Sequence, residues 1–186
     1  MKVSVTGPIG SGKSTFAEML SRNKVDVLSG DDIGRELLME NSEEIFKYLG
    51  LDSTGNILEK LKSFFLEDEG IFIKYNQWMY RHLPGRIMRT VLECEDVILD
   101  AALVFEWGID HQFDANITVF DGDFSSRIER LSNIGDIDRQ LYRLLDSHQM
   151  PVEEKMELAD IVVENNGTLE DLREEADEIY QAVFAD

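Results

Sequence analysis

Two hydrophobic patterns alternate along most of the chain. Short apolar runs, typical of buried strands, are separated by longer stretches whose apolar residues recur every three or four positions, as they do in amphipathic helices. Strands joined by helices form a parallel sheet that is covered on both faces, so the pattern predicts an α/β fold. The predicted strands are Lys2–Thr6, Val25–Ser29, Val97–Ala102, Ile117–Asp121 and Ile161–Glu164.

The helical pattern extends over most of the remaining sequence. Pro84 is expected in the first turn of a helix that carries Arg86, because proline loses no hydrogen bond there. Thr168 and Asp171 match a capping box, which is expected to start the last helix. No repeat or Pro/Gly-rich linker interrupts the sequence, which is therefore taken as one domain, 1–186. The predicted helices are Lys13–Asn23, Asp32–Leu38, Ser42–Leu49, Ile57–Leu66, Ile71–His82, Arg86–Cys94, Ser125–Leu131, Ile137–Ser147, Glu153–Leu158 and Leu169–Val183.

The charge balance restricts the possible partners. The formal net charge is −20, so nucleic acids and anionic membranes are not expected to bind, because their phosphates would meet like charge. A single cysteine, Cys94, favours a reducing compartment. No apolar run after Met1 resembles a signal peptide or could span a bilayer, so a soluble cytoplasmic protein is expected. The sequence leaves the oligomeric state open.

A phosphate-binding loop is predicted near the N-terminus. Gly7–Ser14 reads GPIGSGKS and matches G-x-x-x-x-G-K-[ST] between a predicted strand and a predicted helix. The backbone amides of such a loop converge on phosphate oxygens, while Lys13 would reach the β- and γ-phosphates and the Ser14 hydroxyl would bind Mg²⁺. ATP and Mg²⁺ are therefore the predicted cofactors; the alternative is an accidental glycine-rich turn. The predicted nucleotide-binding residues in this loop are Gly10, Ser11, Gly12, Lys13, Ser14 and Thr15.

Three aspartates lie at or just after the carboxyl ends of apolar runs, where ligands of open parallel sheets bind. Asp31 and Asp32 come after the second strand, and one of them could accept a proton from an acceptor hydroxyl or hold Mg²⁺ through water. Either could instead be the N-cap of the next helix, and Asp31 is favoured for the functional role. Asp100 ends the third strand in the manner of a Walker B acid, or is a structural partner of a cation.

The basic residues suggest a second phosphate contact. Arg139 and Arg143 are four positions apart on a predicted helix and could clamp a transferring phosphate, although an exposed helix explains either residue alone. Gly135, within the polar stretch Ser132–Asp138, could be the joint of a lid that excludes water. The three histidines lack the spacing of metal ligands, so no metal other than Mg²⁺ is predicted.

Four segments together resemble the dephospho-CoA kinase family. The phosphate loop Thr6–Thr15, the segment VLSGDDIGR at Val27–Arg35 and the segment DAALVFE at Asp100–Glu106 are similar to family motifs. The fourth segment, from Gln149-Met150-Pro151 to Asn165-Asn166-Gly167, is similar to the family's C-terminal signature and is the most specific of them.

The resemblance implies ATP-dependent phosphorylation of the ribose 3′-hydroxyl of dephospho-CoA, giving coenzyme A. It also implies a P-loop NTPase core with a five-stranded parallel sheet, a helical acceptor-binding insertion at about 40–95 and a lid at about 125–150. Asp31 would be the catalytic base, and Asn166 would lie near the adenine. Lys13 and arginines among Arg130, Arg139 and Arg143, with Arg139 favoured, would stabilise the transferred phosphate. Dephospho-CoA would contact Arg35, Arg86, Asp100 and Glu106.

The sequence departs from the family pattern at five positions, which are Ser29, Glu59, Leu83, Ala102 and Ile134. Ser29 and Ala102 lie in strand motifs and leave the phosphate loop and Asp31 unchanged. Leu83 and Glu59 fall in the predicted acceptor region, and Ile134 takes the place of a lid arginine. Two alternatives therefore accompany the prediction: a P-loop kinase of another small acceptor, such as a nucleoside monophosphate, or a non-catalytic ATP-binding regulator.

Overall fold

The computed structural model describes residues 1–52, 56–122, 124–132 and 138–184. Strands and helices alternate in its N-terminal and C-terminal parts, and consecutive helices fill the middle. In chain order the elements are β1 (Lys2–Thr6), α1 (Lys13–Ser21), β2 (Asp26–Ser29), α2 (Gly30–Glu40), α3 (Ser42–Leu49), α4 (Ile57–Glu67), α5 (Glu69–Glu93), β3 (Val97–Asp100), a 3₁₀ turn (Asp110–Gln112), β4 (Ala115–Phe120), α6 (Phe124–Ser132), α7 (Arg139–Ser147), α8 (Val152–Leu158), β5 (Ile161–Glu164) and α9 (Leu169–Val183).

The strands form one parallel sheet in the order β2-β3-β1-β4-β5. Val5 of β1 is in register with Asp100 of β3 and with Ile117 of β4. Successive residues of β1 face opposite sides of the sheet, yet Val3, Ser4, Val5 and Thr6 are all fully buried. Both faces are therefore covered, which explains the continuous apolar runs and confirms the predicted fold class.

One compact unit contains Met1–Gly30 and Thr90–Asp186, and thus the whole sheet. Its core lies between the sheet and the helices α1 and α9. Side chains of β1, β4 and β5 pack there against α1 and α9, whose Phe16, Leu20 and Ala176 are fully buried. Apolar burial on this scale supports the central strands, so the loops at their carboxyl ends have a rigid base.

The second compact unit, Asp31–Arg89, is helical. Phe65 of α4 packs edge-on against Phe72 of α5, with ring centroids 5.1 Å apart. Trp78 of α5 donates from Nε1 to the Glu44 carboxylate of α3, at 3.1 Å. Aromatic burial and one polar contact thus join the three helices α3, α4 and α5 within this unit.

Two expectations about local structure are corrected. Residues predicted as two helices, with Pro84 starting the second, form the single helix α5, and Pro84 lies inside it. Burial of Met79, Leu83 and Ile87 along one side of α5 maintains the helix through the proline, despite the lost amide. The helix α2 begins at Gly30, so Asp31 and Asp32 lie in its first turn and neither is its N-cap.

The predicted boundaries of the acceptor-binding insertion and of the lid remain predictions, and the expected joint at Gly135 and the departure at Ile134 lie outside the described residues. Across the described part of the chain, each helix is too short or too polar to cross a bilayer.

Candidate active site

The nucleotide loop, residues 7–12, connects the end of β1 to the start of α1. Gly10 and Gly12 have positive φ angles of 80° and 91°, which side chains with a Cβ rarely adopt. A Cβ at Gly12 would also collide with the side-chain amide of Asn165. The loop therefore requires glycine for both its backbone path and its close packing, which is the reason that a phosphate-loop sequence has this spacing.

Lys13, Ser14 and Thr15 form the first turn of α1, where the unpaired amides and the helix dipole favour an anion. The side chain of Lys13 is half-buried, while Ser14 and Thr15 are exposed. These three residues thus combine backbone donors, one ammonium and two accessible hydroxyls. This arrangement suits the terminal phosphates of a nucleotide, and the Ser14 hydroxyl fits a magnesium ligand.

Side chains distant in sequence contact the backbone of the nucleotide loop. Asn165, after β5, donates from Nδ2 to the carbonyl of Ser11 at 2.8 Å. Arg130 of α6 donates to the carbonyl of Gly10 at 3.3 Å. The amide of Ile9 donates to the side-chain oxygen of Gln149 at 3.2 Å. The loop is thereby fixed from three directions. These three contacts were not predicted from the sequence.

Asp121 immediately follows β4 and is 2% exposed. Its carboxylate is 2.6 Å from the guanidinium of Arg130, which also donates to the carbonyl of Asn165 at 3.2 Å. A buried carboxylate requires a partner, and Arg130 supplies it. Asp121 was missed as a site residue, although an acid directly after an apolar strand is the same signal that identified Asp100.

Asp100 ends β3 at the carboxyl edge of the sheet and is half-buried. It lies in register with Val5 of β1 on one side and with Ser29 of β2 on the other. The structure thus places Asp100 on the strand next to the one that leads into the nucleotide loop. Its predicted roles, in binding substrate, Mg²⁺ or Lys13, remain predictions.

Glu106 forms a buried ion pair with Lys155, whose Nζ lies 2.7 Å from Oε1. Lys155 also donates to the carbonyl of Ala102 at 2.5 Å, and the amide of Met150 donates to Glu106 at 2.8 Å. Burial lowers the pKa of Lys155, Glu106 partly offsets this effect, and the ammonium of Lys13 adds to the lowering. Glu106 therefore joins two signature segments, in addition to its predicted substrate contact.

The predicted base, Asp31, lies in the helical unit, in the first turn of α2. Its carboxylate and burial together raise the pKa of Tyr75 on α5 to about 12, with burial the larger cause. Asp32 is exposed and pairs with Arg35 at 3.1 Å. Asp31 is thus the member of the acidic pair that faces α5, while Asp32 is engaged on the surface.

Four of the predicted arginines have protein partners: Arg35 and Arg130, as described above, and Arg86 and Arg143. Arg86 of α5 pairs with Glu40 of α2 at 3.1 Å. Arg143 lies over the ring of Phe124, with 5.9 Å from its guanidinium carbon to the ring centroid. Arg139 is the first residue of α7 and is exposed. Its position leaves Arg139 accessible to a ligand, as its predicted role requires.

Asn166, predicted to lie near the adenine, accepts a hydrogen bond from the amide of Gly122 at 3.1 Å. The neighbouring Asn165 is the residue whose side chain reaches the nucleotide loop.

No cluster of three or more His, Cys, Asp or Glu side chains able to hold a metal ion occurs in the described residues. The predicted Mg²⁺ ligand, the Ser14 hydroxyl, remains a prediction.

A parallel sheet of this strand order, with a glycine-rich loop and a lysine between β1 and α1, is typical of the P-loop nucleotide-binding fold. The family model for dephospho-CoA kinase matches residues 1–171. The chain belongs to the dephospho-CoA kinase family. Both the predicted family and the predicted class of enzyme, a kinase, are confirmed, and phosphorylation of dephospho-CoA with ATP is the activity for which this family is named.

Similar proteins agree with this assignment over nearly the whole chain. A dephospho-CoA kinase of Fusobacterium nucleatum is 31% identical, with 98% of each chain covered. Among solved structures, a protein of Thermus thermophilus has a TM-score of 0.75 at 24% identity, covering 98% of this chain and 97% of its own. The dephospho-CoA kinase of Campylobacter jejuni has a TM-score of 0.69 at 21% identity, with 98% of both chains covered. The two structures support the fold alone.

Proposed function

We propose that the chain transfers the γ-phosphoryl group of ATP to the ribose 3′-hydroxyl of dephospho-CoA, giving ADP and coenzyme A. The acceptor oxygen forms a bond to phosphorus, the bond to the β,γ-bridging oxygen breaks, and the hydroxyl proton goes to a base. The observation that carries the proposal is the nucleotide loop, with Gly10 and Gly12 in left-handed conformations directly before Lys13. The family membership supplies the acceptor.

In this proposal Asp31 accepts the proton of the acceptor hydroxyl. Its carboxylate is presented by the first turn of α2, immediately after β2, and lies near enough to Tyr75 of α5 that, after burial, it is the second cause of the raised pKa of that phenol. Lys13 and Arg139 stabilise the charge on the transferred phosphoryl group. Mg²⁺, when bound, would neutralise charge on the β- and γ-phosphates beside Ser14.

The acceptor would be held by Arg35, Arg86, Asp100 and Glu106. Of these, Arg35 pairs with the exposed carboxylate of Asp32 on its own helix, at 3.1 Å. Such surface pairs contribute little, so a phosphate of the acceptor can replace Asp32 as the partner of Arg35. The net charge of −20 supports a small-molecule acceptor rather than a nucleic acid or a membrane, and a cytoplasmic location fits the single, unpaired cysteine.

The base assignment is tested by Asp31→Asn with Asp32→Asn as the matched control. Asp31→Asn keeps the size of the side chain and removes the proton acceptor, so kcat with dephospho-CoA should fall by about 10²–10⁴-fold. The affinity for ATP, measured by calorimetry, should remain within about twofold, because the nucleotide loop is untouched. Asp32→Asn should keep kcat within about threefold. Equal losses in the two variants would contradict the role of Asp31.

An acceptor screen at fixed ATP tests the substrate assignment. Dephospho-CoA should give the highest kcat/KM, with nucleoside monophosphates far below it. A preference for a nucleoside monophosphate would identify another kinase of the same fold. Thermal stabilisation by ATP without a phosphorylated product from any acceptor would indicate a regulator.

A further inference from the structure

The backbone of the nucleotide loop is held by side chains that the transfer mechanism does not use. Asn165 is 8% exposed and donates to the carbonyl of Ser11 at 2.8 Å. The same side-chain amide fills the space in which a Cβ of Gly12 would stand. This contact is short, buried and closely packed. It therefore restricts the orientation of the peptide that joins Ser11 to Gly12.

The orientation of that peptide decides where its amide points. In a trans peptide the carbonyl and the following N–H point in opposite directions. Because Asn165 binds the carbonyl of Ser11, the amide of Gly12 must point away from Asn165. Gly12 directly precedes Lys13 at the start of α1, so its amide joins the donors of the first helical turn. The hydrogen bond from Asn165 thus orients the backbone amide of Gly12, a donor that can bind phosphate.

Arg130 holds the preceding peptide in the same way. It donates to the carbonyl of Gly10 at 3.3 Å, and the amide of Ser11 on the other side of that peptide donates to the carbonyl of Pro8 at 3.1 Å, closing a turn. The guanidinium is bound at 2.6 Å by Asp121, which is 2% exposed. Since Asp121 neutralises its charge, Arg130 acts on the loop through hydrogen-bond geometry.

Asn165 and Arg130 also contact each other, because Arg130 donates to the carbonyl of Asn165 at 3.2 Å. Gln149 completes the set by accepting from the amide of Ile9 at 3.2 Å. The three side chains come from α6, from the segment after α7 and from the segment after β5. Consecutive loop residues are thus tied to three separate parts of the sheet-containing unit.

We propose that Asn165, Arg130 and Gln149 are positioning residues that hold the nucleotide loop in its anion-binding conformation before ATP binds. The proposal rests on the proposed function, in which the loop binds the ATP phosphates. A loop that is ordered in advance avoids the entropy of ordering upon binding, so these side chains increase the affinity for ATP without contacting it. They act on the triphosphate and not on the adenine.

The test uses Asn165→Leu, which keeps the shape of the side chain and removes its donor. The carbonyl of Ser11 then loses its partner, and the KM for ATP should rise roughly tenfold. The KM for dephospho-CoA should stay within about twofold, and the ratio of kcat/KM between ATP and GTP should be unchanged, since no contact to the base is lost. If Asn165→Leu does not fold, as judged by its thermal transition, Asn165→Ser takes its place.

The matched control is Asn41→Leu. Asn41 also donates from Nδ2 to a backbone carbonyl, that of Leu37, at 2.9 Å, but lies in the helical unit. It should lose a similar hydrogen bond and leave the KM for ATP unchanged. An unchanged KM for ATP in Asn165→Leu, or equal changes for both substrates, would overturn the proposal. A shift in the ATP to GTP ratio would assign Asn165 to the base and overturn it as well.

Wild-type activity separates this proposal from the proposed function. Absence of ATP-dependent turnover in the wild type would contradict the proposed function, and this proposal with it. Normal wild-type turnover with an unaffected Asn165→Leu variant would contradict the positioning role alone.

Discussion

The ammonium of Lys155 and the carboxylate of Glu106 form an ion pair in the interior, 2.7 Å apart. Lys155 is fully buried and the Glu106 side chain is 9% exposed. The pair joins the segment after β3 to the helix α8, and Glu106 also accepts from the amide of Met150. Two family-like segments, separate in sequence, are thereby connected by the ion pair and by the hydrogen bond from Met150.

Removing one partner of this pair should destabilise the fold strongly. Lys155→Met leaves the Glu106 carboxylate buried and unpaired, so the free energy of unfolding should fall by about 3–5 kcal/mol. Urea denaturation measures this change. The double variant Lys155→Met with Glu106→Leu should recover part of the loss, because neither charge then remains in the interior.

The control is the surface pair of Lys60 and Asp52, whose charged atoms are 3.5 Å apart with side chains 33% and 71% exposed. Lys60→Met should change the free energy of unfolding by less than about 1 kcal/mol. Similar losses in Lys155→Met and Lys60→Met would contradict the interpretation of the buried pair.

Gly12→Ala should abolish measurable ATP binding while leaving a folded protein. Alanine at position 12 would have to adopt a φ of 91°, which is strained for a residue with a Cβ, and that Cβ would displace the side chain of Asn165 from the loop. Calorimetry with ATP and Mg²⁺ measures the affinity.

The control is Gly108→Ala, since Gly108 has a φ of 64° but open space around its Cβ position. That variant should lose about 1 kcal/mol of stability and retain its ATP affinity. Comparable ATP binding in the two variants would contradict the account of the loop.

The stability of the helical unit should depend on pH through Tyr75. Its pKa is raised from 10.0 to about 12, so the folded protein keeps the proton in a range where the unfolded chain loses it. The contribution is present below pH 10 and is lost as the pH rises to about 12, where the free energy of unfolding should have fallen by about 3 kcal/mol. Denaturation at several pH values between these limits measures the loss.

Tyr75→Phe should lack this part of the alkaline loss, because phenylalanine does not ionise. Tyr48→Phe, which alters an exposed tyrosine of the same unit, should follow the wild-type curve. An identical alkaline profile for wild type and Tyr75→Phe would show that Tyr75 does not titrate as described.

Features set by neighbouring residues were predictable from the sequence. The capping box of Thr168 and Asp171 occurs as predicted, and β5 and α9 have the predicted bounds. The nucleotide loop was found from its glycine spacing, which reflects local backbone geometry. The helix α5 was predicted as two helices because Pro84 is a local signal, whereas burial along its whole length decides its continuity.

Contacts between distant residues could not be predicted in this way. Asn165 meets Ser11 across 154 residues of sequence, and Gln149 meets Ile9 across 140. Neither pair has a spacing that a periodic pattern could reveal, because the parallel sheet brings the segments together only after folding. Asn166, which the family resemblance places near the adenine, remains a prediction, and the side chain in contact with the loop belongs to its neighbour Asn165.

The most direct test of the account is the reaction itself. Purified protein is incubated with ATP, Mg²⁺ and dephospho-CoA, and the products are compared with authentic coenzyme A and ADP by chromatography. The account predicts equimolar coenzyme A and ADP, formed with a kcat in the ordinary range of roughly 1–100 s⁻¹ for kinases. Formation of ADP without coenzyme A, or of neither product, would contradict it.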